Sequence, residues 1–450
     1  MNAAGDIGSL SRTARRRHKF SDSQLVLSSF AFVLFLLPAR FVVVGAGAAG
    51  RPAVVAGLSA LAIWGLAFLR PRAARGRPQI IKWLLALYLL LQGTAYVLGL
   101  DRGLQPVELR AADREMIVLF SLFGVALAAM DGLATRRELD HVLLRVSYAA
   151  GAMGTIGAIQ FLTNYDPTRL ISIPGLVLNS GLISVGQRGP AGIPRVAGTA
   201  GHYIEFGVVL ALVLPIALHY ARYAETPSQK RARWVCVSII GIAIPFSVSR
   251  AGIVAIAVSL VIASGGWHWR ARLNIAAGIL LGVASLRLVN PRLIETLTEL
   301  FASVDTDPSI SGRTEDYKVV ATFIRERPWF GRGPGTFIPD KYVLLDNHWI
   351  SQVVSAGYIG AAALAILFLA GAAMALNVGK AADERTRDLS QALVAALVTA
   401  AVTSFFFDSM HFAIFAGMVF LFLGAVGALW QLAEPVPEPD IFQENAKQSA

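Results

Sequence analysis

The chain has 450 residues, 55% of them hydrophobic and only 15% charged, with a mean hydropathy of +0.58. Soluble domains carry about 25% charged residues, so the deficit excludes an ordinary soluble enzyme, and repeated apolar runs of about 18 or more residues place the chain in the membrane class. The formal charge of +11 does not indicate a nucleic-acid partner, because most of the excess lies in short loops between apolar runs, where the positive-inside rule puts it.

Arg12, Arg15, Arg16, Arg17 and Lys19 precede the first apolar run. No clear small-x-small cleavage site leads from that run into a soluble domain. The expectation is a basic cytoplasmic N-terminus, 1–24, followed by a first membrane helix. Hydropathy and length predict about twelve spans. They fall at 25–37, 52–69, 79–100, 116–133, 142–162, 203–220, 235–248, 251–264, 274–289, 349–376, 389–407 and 412–430. The expected class is therefore an all-α polytopic membrane protein, with a membrane domain over 25–430. A large extracytoplasmic loop, 290–347, precedes the tenth helix. A second long polar connection covers 163–201. The tail, 431–450, is rich in Pro and acidic residues and reads as disordered and cytoplasmic. The single Cys236 lies in an apolar run, which excludes an intramolecular disulfide and a cysteine-based metal site.

Alternating spans put both termini on one side. More than half of the 40 Lys and Arg residues share that side, densest at the N-terminus, 70–82 and 222–233. That side is expected to be the cytoplasm. The two long loops, and the turns at Arg250 and Asp408, then lie outside. The outer face still collects many basic residues, which points to an anionic substrate at the outer membrane surface.

Several residues there have chemical potential. Arg250 sits in SVSRAG, at a tight turn between two apolar runs. Arginine at membrane depth is costly, so it points into the protein or a wet cavity; snorkelling to the interface is an equal alternative. Arg313 opens an amphipathic helix expected over 313–326, and its planar fork suits phosphate oxygens. Asp316 and Tyr317 follow on the same helix. GRGPGTF, at 331–337, is a glycine–proline turn without the spacing of a nucleotide-binding P-loop; a plain re-entry turn is the favoured reading. Asp346, Asn347 and His348 stand at the entry to the tenth span. They suit a general base for a hydroxyl, and equally an N-cap, since Asp and Asn are preferred there. Arg195, His202 and Glu205 flank the entry to the sixth span, with His202 and Glu205 spaced for one helix face. A buried structural pair is the plainer reading of those two. No HExxH motif and no His/Cys cluster with ligand spacing is present, so no metal and no cofactor is expected.

The order of these pieces resembles the O-antigen ligase and O-antigen polymerase superfamily of membrane glycosyltransferases. RVAGTAGHYIEFG, SVSRAG, SGRTEDY with RPWFGRGPGTF, DNHWISQVVSAGYIG and the closing FFFDSMHFAIFAG run occur in the family's order. The likeness covers about 195–430, and the first five spans match only in layout. DN, RTEDY and HYIEFG look like its actinobacterial branch. One departure stands out: where the family has its catalytic histidine, counted back from Gly357, this chain has Asp346, and His348 follows two residues later.

The resemblance implies a membrane glycosyltransferase that polymerises or ligates a cell-surface polysaccharide. A polyprenyl-diphosphate-linked oligosaccharide is the donor and a glycan or lipid hydroxyl the acceptor, at the outer face of the plasma membrane. Arg250, Arg313 and Arg195 would bind the diphosphate, and Asp346 or His348 would act on the acceptor hydroxyl. His202, Glu205, Asp316, Tyr317 and Asn347 would support them. The alternatives are a lipid-linked glycan flippase or other transporter, and a non-catalytic subunit of a polysaccharide assembly machine. No internal repeat of the transporter kind is evident.

Overall fold

A computed structural model describes residues 22–69, 79–178, 185–188, 192–302, 308–380 and 382–433. The basic N-terminal run, the basic loop 70–78 and most of the acidic tail lie outside the described residues. The chain order is α1 (Asp22–Leu36), β1 (Phe41–Val43), α2 (Pro52–Phe68), α3 (Ile80–Leu100), α4 (Pro106–Gly132), α5 (Arg136–Thr163), β2 (Leu176–Leu178), β3 (Val185–Arg188), β4 (Ile193–Val196), α6 (Tyr203–Arg222) and α7 (Pro227–Ala243). Then follow α8 (Arg250–Ser264), α9 (Trp269–Val289), α10 (Pro291–Ala302), α11 (Pro308–Glu326), α12 (His348–Lys380), α13 (Glu384–Thr403) and α14 (Ala413–Leu432). Among the described residues the protein is all-α apart from two small antiparallel ribbons, β1 with β2 and β3 with β4. Both ribbons draw on the connection 163–201, which was expected only as polar loop.

Seven described helices are long and apolar enough to cross a membrane: α3, α4, α5, α6, α9, α12 and α14. Shorter apolar helices lie at Asp22–Leu36, Pro52–Ala67 and Arg250–Ser264. α6 and α14 form the centre, with 94% and 89% of their most apolar windows buried inside the protein. α14 packs on α4, and α6 packs on α7, α8 and α13. α9 has no fully buried residue: Ala271, Ile275 and Leu286 pack on the core and most of its remaining apolar surface is open, as a helix at a lipid boundary requires.

Helix starts follow local chemistry more than hydropathy. α4 was expected from 116 but begins at Pro106, because Pro suits the first helical position and Gln105 and Glu108 form a reciprocal capping box. α5 likewise begins at Arg136 rather than 142, capped by Thr135 with Glu138. α11 begins at Pro308, five residues before the expected start. For α4 and α5 hydropathy located the apolar part and the cap located the start.

α12 is two helices joined at Gly357, whose backbone is φ 69°, ψ −175°. The segment 328–333 fills the break. The Arg332 and Gly333 amides donate to the carbonyls of Val354 and Ser355 at 2.8 and 2.9 Å. The Tyr358 and Ile359 amides donate to the carbonyls of Pro328 and Trp329 at 2.8 and 3.3 Å. Groups orphaned by the broken ladder are thereby satisfied by protein, the condition under which irregular backbone survives at membrane depth. GRGPGTF is thus the re-entry turn expected of it. The segment also rests on α3 and the turn after it: the Arg102 Nε–H donates to the Arg332 carbonyl at 3.2 Å, and the Arg327 guanidinium donates to the Leu98 carbonyl at 2.9 Å.

Candidate active site

His348 opens α12 and is 3% exposed. Its amide donates to the carbonyls of Ser404 and Phe407, at 2.8 and 3.2 Å, beyond the end of α13. An orphan donor of one helix start thus meets carbonyls at another helix end. The contact brings the ring to the turn between α13 and α14. There the His348 Nδ1–H donates to Asp408 Oδ1 at 2.8 Å. His411 Nδ1 lies 2.8 Å from Asp408 Oδ2, and the Ser351 hydroxyl donates to the same oxygen at 3.4 Å. The two imidazoles stand edge to face, 5.9 Å apart. His411 Nε2 looks toward Glu115 of α4, 3.8 Å away.

This triplet borders two cavities. One is lined by Tyr88, Gln92, Glu115, His348, Gln352 and His411, among others. The second, about 230 Å³, carries Arg51, Glu115, Ser121 and His411 on its walls. The buried His348 Nε2 has no hydrogen-bond partner. Asp408 therefore fixes the His348 ring through Nδ1 and leaves Nε2 as its unbonded nitrogen, on a residue that lines the first cavity. Burial alone would raise the Asp408 pKa, but the charge of His411 and the hydrogen bonds from both histidines hold it well below the usual carboxylate range. For His411, burial works toward a lower pKa. The Asp408 and Glu115 carboxylates outweigh it and push the pKa up to about 10, so this ring is a cation at neutral pH.

The linkage gives a sign. A folded pKa above the unfolded value of 6.5 contributes stability that is complete below pH 6.5 and lost as pH rises toward 10. The thermal midpoint of the wild type is expected to fall across that window by more than that of His411→Gln. Differential scanning fluorimetry of both proteins in one detergent checks this; parallel curves would refute it.

His348, Asp408 and His411 also present ligand-type atoms within 4.8 Å of one another. If any group in the described residues holds a divalent ion, these three do. In the structure each histidine Nδ1 is already committed to a carboxylate oxygen, so binding a metal there would replace both hydrogen bonds.

The other sequence-selected residues are spread over neighbouring elements. Asp346 is half-buried ahead of α12 and does not line either cavity. Asn347 caps α12, its Oδ1 accepting from the Ile350 amide at 3.3 Å. Glu205 is fully buried and does not pair with His202. Its carboxylate accepts from the amides of Gly201, Ile414 and Phe415 at 2.8, 2.7 and 3.3 Å. It therefore anchors the N-terminus of α14, where a helix dipole favours an anion. His202 caps α6, and its ring lies tilted against those of Tyr203 and Phe412. Burial, and then the Arg195 charge, lower its pKa to about 4, so it is neutral. Arg195 lies over the Tyr203 ring, 3.4 Å from its centroid.

Arg250 is the first residue of α8, and its Nε–H donates to the Leu300 carbonyl of α10 at 2.6 Å. β4, which carries Arg195, also touches α10, so Arg195 and Arg250 flank one element. Neither lines the cavities beside His348. Arg313 and Asp316 lie in α11, but their side chains are outside the described residues. Tyr317 is half-buried on the same helix.

Sequence reasoning missed Arg51, Glu115, Asp408 and His411 as site residues. Arg51 precedes a proline at a helix start, and its buried Nε has no hydrogen-bond partner. The signal that was available is the DSMH turn: two ionisable groups between two apolar runs.

Residues 235–365 match the family described as O-antigen ligase. That segment supports placement in the O-antigen ligase and polymerase superfamily, and with it a glycosyltransferase-type role in polysaccharide assembly by a multi-pass membrane protein. It contains Arg250, the 290–347 connection, His348 and the Gly357 break, and stops short of Asp408 and His411. No curated protein matches the chain.

Proposed function

We propose, from the O-antigen ligase family match and the His348–Asp408 geometry, that the chain transfers glycan from a polyprenyl-diphosphate-linked donor to an acceptor hydroxyl at the outer membrane face. The observation that carries this reading is a buried imidazole on the wall of a cavity, fixed by a carboxylate through Nδ1 and with its Nε2 unbonded. The acceptor hydroxyl donates its proton to His348 Nε2 as its oxygen attacks the anomeric carbon. A new C–O bond forms on the face opposite the departing group. The bond between the anomeric carbon and the phosphate oxygen breaks, and polyprenyl diphosphate leaves with the electron pair. His348, rather than Asp346, takes the base role because it is the one on the cavity wall.

The departing diphosphate needs cations. Arg250, Arg195 and Arg313 remain the proposed contacts, with Arg51 and cationic His411 supplying positive charge at the second cavity. The catalytic unit is taken as 25–430, with about twelve spans and both termini cytoplasmic. Both remain parts of the proposal.

The test uses purified protein in lipid with a polyprenyl-diphosphate oligosaccharide, following release of polyprenyl diphosphate and glycan length. Longer glycans indicate a polymerase. Release without lengthening indicates a ligase and directs the search to other acceptors. No release from several donors would overturn the reading in favour of a transporter or assembly subunit. Arg250→Lys is expected to lower turnover at least about tenfold although the charge is kept, because the planar fork is lost. Unchanged turnover would remove Arg250 from the diphosphate site.

A further inference from the structure

A groove of about 670 Å³ runs between α1 and α5, on the far side of α1 from the second cavity's Arg51 wall. Gln24 faces His141 and Ser28 faces Arg145, so the two helices run parallel and begin at the same end of the protein. The groove starts at Leu25 and ends near Leu36, about 16 Å along the helix axis. Phe32 and Tyr148, 58% and 42% exposed, rise along it. Ala149 and Ala152 leave its floor low. Its lining is apolar except at one end, where Ser28, Ser29 and Arg145 meet.

Arg145 lies about 13 Å into α5 from Arg136. A guanidinium this far into a spanning helix needs polar company. It donates to the Ser28 hydroxyl at 2.6 Å. Arg137 and His141 lie on the same helix toward its start. A positive, hydroxyl-lined pocket thus opens into an apolar channel wide enough for a hydrocarbon chain.

We propose that this groove binds an anionic phospholipid, its phosphate at Arg145, Ser28 and Ser29 and one acyl chain along Phe32, Leu36, Tyr148 and Ala152. The occupant follows from two features together. The groove opens on the surface of a protein whose surroundings are lipid, and it joins a fixed cation to an apolar channel. Basic pockets between membrane helices recognise anionic head groups in this way. The site does not include the catalytic triplet, so it stands whether or not the proposed transferase reaction is correct.

The experiment is native mass spectrometry of the full chain released from detergent, after titration with phosphatidylglycerol or phosphatidylcholine of equal chain length. The wild type is expected to retain phosphatidylglycerol in preference. Arg145→Gln should weaken that retention about fivefold and abolish the preference, whereas Arg145→Lys should keep it. Ala152→Phe, which fills the channel, should weaken both lipids. Circular dichroism and a monodisperse elution profile establish that each variant is folded. Equal retention of phosphatidylglycerol by wild type and Arg145→Gln would overturn the proposal. So would equal retention of the two lipids by the wild type, or displacement of phosphatidylglycerol by undecaprenyl phosphate at lower concentration, which would make the groove a path for donor lipid.

Discussion

Replacing His348 by alanine is expected to lower glycan transfer by about 10²–10⁴-fold, the usual contribution of a positioned general base, with little change in donor binding. The expectation rests on a division of labour. In the proposed mechanism the buried His348 accepts the proton, while Asp408, bonded to its ring, acts only through that ring. Asp408→Asn should therefore also reduce turnover. An amide can present its NH₂ group to Nδ1, which favours the tautomer whose Nε2 carries the hydrogen and cannot accept another. A purely structural role for Asp408 would predict loss of folded protein instead. The measurement separating the two is the pH profile of turnover at saturating donor. A base limb present in the wild type should vanish in His348→Ala and be displaced in Asp408→Asn, with both variants eluting as folded protein. Asp346→Asn is the companion variant and should retain turnover. If Asp346→Asn is dead and His348→Ala active, the base has been misassigned.

The second large effect concerns folding. Gly357→Ala is expected to destabilise the protein by about 3 kcal/mol or more, from backbone strain plus a clash with fixed backbone. A Cβ at this position would lie 2.1 Å from both the carbonyl carbon and oxygen of Trp329, and 2.5 Å from the Phe330 nitrogen. Those atoms cannot swing aside, because the segment 328–333 is bonded into the broken helix on both sides of the glycine. The conformation, φ 69° with ψ −175°, is open essentially to glycine alone. Gly278→Ala in α9 is the matched control: nothing lies within 4 Å of its Cβ, and alanine suits a helix better than glycine. Thermal unfolding monitored by fluorescence should show a lowered midpoint or loss of folded yield for Gly357→Ala and a midpoint at or above wild type for Gly278→Ala. Equal midpoints would mean that the re-entry segment is not the wedge that holds the halves of α12 apart.

These two expectations converge on one architectural point. The break in α12 allows its first half, with His348 at the tip, to lean onto the end of α13. The His348 ring and the segment 328–333 belong to one assembly, which also draws in α3 and the turn after it through Arg102 and Arg327. A second polar network ties α5, α6 and α13 at the opposite end of α13. There His219 donates or accepts at 2.7 Å with Asp388, and Arg136 pairs with Asp140 at 2.9 Å. Glu205 and the Asp388 and Asp408 networks thus lie at helix ends, where hydrogen bonds offset their desolvation, whereas Arg145 and Glu115 lie further along their helices.

Sequence alone determined the solvent class of the protein and the approximate place of its apolar helices, because desolvation of charge in a bilayer is large enough to show in composition and run length. It also identified the turn at 331–337 from its glycines and proline, and singled out the entry to α12 as a stretch of ionisable groups. What it left open between Asp346 and His348 is a question of direction, and a difference of two residues on a forming helix turns a side chain to another face. Only tertiary structure decided which face meets Asp408, a partner 60 positions away. Glu205 shows the same limit from the other side: its spacing to His202 suggested a local pair, but its carboxylate is used up by the amides that begin α14. Spacing encodes what lies on one helix. The orphan hydrogen-bonding groups at helix ends, which choose partners across the bundle, are settled only when the helices pack.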